Sequence, residues 1–125
     1  MNWLTMTEIS KRAKSKKGAL KVSYEHWNQL YQAPAKELRE AIKKSMVDVG
    51  NEYCGLCKFY DSISSSTNCS RCPLGASDGN CYKTSGNLYA EVRDAFLDLE
   101  FNGDWWAWKR AAKALRDKLK ELMNE

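Results

Sequence analysis

All five cysteines of this chain fall between positions 54 and 81, spaced Cys54-x2-Cys57-x11-Cys69-x2-Cys72-x8-Cys81. No other feature restricts the fold as much. A C-x2-C pair is a tight turn that aims two thiolates at one metal, and two such pairs complete a tetrahedral site with Zn–S of about 2.3 Å. Gly55 relaxes the first turn and Pro73 stiffens the exit from the second. The intervening runs 62–68 and 75–80 have loop composition, and residues 51–90 hold few large apolar side chains. The thiols are therefore expected to hold this segment together around a structural zinc ion.

Five thiols serve four positions. The two pairs make the simplest tetrad, with Cys81 spare, and a tetrad in which Cys81 replaces one thiol of the second pair is equally open. The candidate metal ligands are thus four of Cys54, Cys57, Cys69, Cys72 and Cys81. A site closed by four protein ligands leaves no position for water, so metal-assisted hydrolysis is not expected. Iron–sulfur ligation is the alternative metal chemistry, since Cys-Pro also occurs in cluster-binding runs. A thioredoxin-like role is disfavoured because no βαβ pattern surrounds either pair.

The compartment follows from what the chain lacks. No apolar run approaches the ~20 residues of a membrane span, and Met1–Met6 shows neither the basic flank nor the apolar stretch of a secretory signal. A cytoplasmic protein is expected, in a reducing environment that disfavours disulfides. At 125 residues there is room for one compact core, or for a small domain with a helical appendage.

Outside the cysteine segment the periodicity is helical, and the expected fold is mainly α: helices around a small, loop-rich zinc-knuckle core, followed by a C-terminal helical hairpin. Four regions are expected: a basic N-terminal segment 1–22, a helical pair 23–50, the cysteine core 51–90 and the hairpin 91–125. Within residues 3–17 a short helix is expected, capped by Thr5 or Thr7, with Ile9 and Ala13 on one face. Ser23 reads as the N-cap of a helix carrying Trp27, Leu30 and Tyr31. His26, the single histidine, reads as a packing or surface residue. A second helix is expected from Pro34 to a stop at Gly50, with Leu38, Ala41, Ile42, Met46 and Val49 as its apolar stripe.

In the last third, Tyr89, Val92, Ala95, Phe96 and Leu99 repeat at helical spacing up to a Phe101-Asn102-Gly103-Asp104 turn. Asp104 then caps a long helix in which Trp105, Trp108, Ala112, Leu115, Leu119 and Leu122 keep heptad spacing. Residues 91–104 carry one base against five acids, whereas 105–125 carry six bases against three acids. An antiparallel hairpin with an acidic arm set against a basic one is expected.

The stretch Cys54-Gly55-Leu56-Cys57-Lys58-Phe59-Tyr60, Cys69-Ser70-Arg71-Cys72-Pro73-Leu74 and Cys81-Tyr82-Lys83-Thr84, with Tyr89 beyond it, resembles small cysteine-rich, zinc-binding proteins encoded by bacteriophages. The Trp27 helix and the helix after Pro34 fit the same layout. This chain departs from the pattern by placing Ser85-Gly86-Asn87-Leu88 between Thr84 and Tyr89, where the family has Thr-Pro-Tyr. The C-terminal hairpin lies outside the resemblance. The resemblance implies a phage source, a location in the host cytoplasm and a metal site, and implies no activity.

Two basic surfaces are candidates for binding. Lys11, Arg12, Lys14, Lys16, Lys17 and Lys21 form a run without an acid, which reads as a solvated linker or, functionally, as a phosphate-contacting arm. On the last helix Trp106 shares a face with Lys109, Arg110, Lys113, Arg116 and Lys120, a pairing of aromatic and cations that suits a nucleic acid, an anionic membrane surface or an acidic protein. No Gly-rich phosphate loop, nucleophile elbow or histidine beside a nucleophile is present, so no enzyme is expected. Three classes of function follow: a zinc-stabilised module that binds and inhibits or redirects a host protein, a nucleic-acid-binding zinc protein using 11–21 and 109–120, and an iron–sulfur or thiol redox protein.

Overall fold

The structure, a computed structural model, describes residues 2–47, 88–101 and 103–124. Among these residues it is all helical: α1 (Met6–Arg12), α2 (Lys16–Gln32), α3 (Ala35–Lys43), α4 (Leu88–Phe101) and α5 (Trp105–Met123). None of these helices is long and apolar enough to cross a membrane. One core unites them, built on Ile9, Val22, Trp27, Leu30, Leu38, Val92, Phe96, Trp108, Leu115 and Leu119.

Thr5 starts α1, its hydroxyl accepting the Glu8 amide at 3.1 Å, and Ile9 and Ala13 face inward as the spacing implied. The basic run after it is not a linker. Ser15, not Ser23, caps α2: its Oγ accepts the Gly18 amide at 3.0 Å, and Lys16, Lys17 and Lys21 ride on the first turns. Ser23 is buried at mid-helix, so α2 runs straight across the division expected at residue 22. Gly18 is what makes the corner possible, because a Cβ there would sit 2.6 Å from the Arg12 carbonyl oxygen.

The helix after Pro34 stops earlier than expected. Ser45 takes a left-handed conformation (φ 55°), with its amide on the Ile42 carbonyl and the Met46 amide on the Ala41 carbonyl. Those two bonds are a Schellman ending with serine in the place usually held by glycine. The early stop turns Met46 outward and lets Val47 fill the core instead. Gly50 and Val49 lie outside the described residues.

The C-terminal reading holds closely. Asp104 accepts the Ala107 amide at 3.1 Å, and Trp108, Ala112, Leu115, Leu119 and Leu122 are buried. Val92, Ala95, Phe96 and Leu99 of α4 meet them, with Phe96 edge-on to Trp108 at 5.7 Å. Gly103 (φ 71°) makes the turn, its amide closing on the Asp98 carbonyl at 2.9 Å. The hairpin does not stand alone, because α5 packs against α2 as well as against α4. Asn28 meets Arg116 while Tyr31 meets Lys109, so α2 and α5 run antiparallel. Ahead of α1, the Gln29 carboxamide accepts the Leu4 amide at 3.0 Å and donates to the Asn2 carbonyl at 2.6 Å. This ties residues 2–4 to the last turns of α2, with Trp3 and Leu4 against the core.

Candidate interaction surfaces

The five candidate metal ligands, Cys54, Cys57, Cys69, Cys72 and Cys81, lie outside the described residues. Among the described residues, no three His, Cys, Asp or Glu side chains are grouped so as to hold a metal ion. His26 is buried on α2, its ring edge-on to Trp27 at 5.2 Å.

The three tryptophans that open α5 divide by helical geometry. Trp108 is fully buried, and its indole N–H has no hydrogen-bond partner among the described residues. Trp105 is half-buried against the core. Trp106, two residues from Trp108 and so on the opposite side of the helix, is 76% exposed. A large aromatic left in water gains nothing from folding, which sets Trp106 apart from its neighbours.

The basic stripe expected around it splits in two. Lys109 and Arg116 turn toward α2. The Lys109 amine donates to the Tyr31 carbonyl and lies 4.8 Å from the Tyr31 ring centroid and 5.1 Å from that of Trp105. Burial there pushes the Lys109 pKa down, because the charged amine has lost part of its hydration. Arg116 lies over the same Tyr31 ring at 4.4 Å and donates to Asn28 Oδ1 at 3.2 Å and to Asp117 Oδ1 at 2.9 Å. Its remaining exposure is small.

Arg110, Lys113 and Lys120 stay exposed beside Trp106, at helical steps that keep them on one face. Lys113 pairs with Asp117 at 2.7 Å, four residues on. That hydrogen bond, together with those from Arg116, holds the Asp117 carboxyl below its ordinary range. Lys109, Lys113 and Arg116 thus meet their own helix and α2, where the sequence suggested the acidic arm 91–104 as the counterpart of the basic arm.

At the other end of α2, Arg12 is drawn into an ion pair with Glu25. Lys11, Lys14, Lys16, Lys17 and Lys21 are all exposed. The expected phosphate-contacting run therefore forms a corner between two helices, with Arg12 ion-paired to Glu25.

Two features escaped sequence reasoning. Tyr31 reads as an apolar core residue from its spacing with Trp27, yet its ring receives both Lys109 and Arg116. Nothing local to Gln29 signals its grip on residues 2–4. Both sets of contacts join positions far apart in the chain.

Compared with protein-family models, with curated proteins and with solved structures, the chain matches none of them.

Proposed function

We propose that this chain is a non-enzymatic, zinc-stabilised binding protein, a phage-type accessory factor that docks on a host protein and inhibits or redirects it. The observation that carries the docking reading is Trp106, 76% exposed on a helix whose next tryptophan is wholly buried. Exposed, rigidly held tryptophans are the side chains that dominate protein interfaces, and arginine at the next turn (Arg110) is the other residue type enriched there. Two of the cations that would have favoured nucleic acid on this face, Lys109 and Arg116, are turned to Tyr31. An interface anchored on Trp106 then draws its affinity from apolar burial more than from phosphate contacts.

The zinc part of the reading rests on the two C-x2-C pairs and on the resemblance to phage cysteine-rich proteins. Four thiolates around one zinc supply folding energy and no chemistry, so the ion serves as a staple for residues 51–90.

Affinity capture from a bacterial lysate tests the docking. One stoichiometric protein should be retained through nuclease treatment and about 0.5 M salt, and should disappear with Trp106→Ala. A partner that leaves with nuclease, or one that Trp106→Ala retains in full, would refute the reading.

A further inference from the structure

We infer that the α1–α2 corner is a second, separate binding surface, which grips the phosphate backbone of duplex nucleic acid without reading its sequence. Lys11, Lys14, Lys16, Lys17 and Lys21 are exposed there within eleven consecutive positions that contain no acid. The one arginine in the run, Arg12, is engaged by Glu25. None of the five lysines takes part in an ion pair among the described residues.

Local stability accounts for Lys11 but not for Lys16 and Lys17. Lys11 sits in the last turn of α1, where a cation suits the helix dipole. Lys16 and Lys17 sit in the first turn of α2, which has no acid, and there a cation opposes the dipole. Residues that break a local rule without a compensating contact point to a role outside the fold. The backbone enforces their placement: Ser15 caps α2, and Gly18 lets its first turn lie against the Arg12 carbonyl, so the lysines project from a fixed bend.

The chemistry of the corner selects the ligand. Ala13, Ala19 and Leu20 are buried, so 11–21 offers no exposed apolar side chain to enter a bilayer. Its exposed side chains are lysines and Ser15, point charges and a hydroxyl suited to phosphate, with no free guanidinium or carboxamide to read base edges. The corner lies at the start of α2, whereas Trp106 lies near its end, about 25 Å away for a 17-residue helix. The two surfaces are therefore independent.

The test is fluorescence anisotropy of the whole protein with labelled 30-base-pair DNA duplexes of two unrelated sequences, between about 50 and 200 mM salt. Wild type should bind both sequences alike. In Lys14→Gln/Lys16→Gln/Lys17→Gln, affinity at low salt should fall roughly tenfold or more, and the slope of log K against log salt should shrink by about 0.9 for each phosphate no longer neutralised. Circular dichroism should stay unchanged, since glutamine holds a helix as well as lysine does. No binding at low salt, an unaltered slope in the variant, a marked sequence preference, or retention on anionic phospholipid vesicles in place of duplex would each overturn the proposal. Trp106 and the corner share no residue, so a failure of duplex binding in the lysine variant and a failure of protein capture in Trp106→Ala are separate results.

Discussion

Arg116 lies over the ring of Tyr31, 4.4 Å from its centroid, and thereby stitches α5 to α2 at a point where a surface charge was expected. Lys109, two turns earlier on α5, approaches the same ring at 4.8 Å. One tyrosine thus holds two cations of one helix, and the antiparallel seam between α2 and α5 gains polar contacts at Asn28 and Tyr31, near the end of α2.

This pairing gives the first prediction. In a double-mutant cycle of Tyr31→Leu and Arg116→Gln, chemical denaturation should reveal a coupling of about 0.5–1 kcal/mol beyond the sum of the single effects. Strictly additive effects would mean that the guanidinium and the ring are neighbours without interaction.

Two backbone positions should respond with opposite signs. Gly18→Ala should lower stability by about 1–3 kcal/mol, because the new Cβ meets a carbonyl oxygen that belongs to the backbone and gives way poorly. That outcome runs against the intrinsic preference of helices for alanine. Ser45→Gly should raise stability by about 0.5–1 kcal/mol, by relieving a left-handed conformation that L-residues adopt at a cost. Thermal melts of both variants suffice, and a stabilised Gly18→Ala would contradict the tight corner.

For the proposed zinc staple, the purified protein should be colourless and carry one zinc per chain. A mild thiol reagent should then modify one of the five cysteines at once, and all five after chelation. Single Cys→Ser variants would identify the spare thiol as the one whose replacement leaves the metal in place. A brown protein, or five thiols reactive from the outset, would sink the zinc reading.

Much of the α5 hairpin was legible because several signals agree there. The heptad stripe, the Gly103 turn and the Asp104 cap all point to the same boundaries. The start of α2 was not legible, since Ser15 is followed by two lysines and a glycine, a run that local rules read as a solvated linker. Its glycine serves a close approach to Arg12 that only the folded corner creates. The end of α3 escaped for a related reason: Ser45 does what glycine usually does, so Gly50 looked like the better stop. On the surface, exposure of Trp106 followed from its place opposite Trp108. The turning inward of Lys109 and Arg116 depended instead on Tyr31, far away in sequence.

The carboxamide of Gln29 behaves as a single rung of a β-ladder, taking the amide of Leu4 and giving to the carbonyl of Asn2. Because Gln29 stands three residues from the end of α2, anything joined ahead of Asn2 emerges at the same end of the bundle as Trp106. The end of α5, running antiparallel, points the other way, toward the lysine corner. An affinity handle at the N-terminus would crowd a docking partner, and one at the C-terminus would crowd a duplex, so the two binding experiments call for opposite placements.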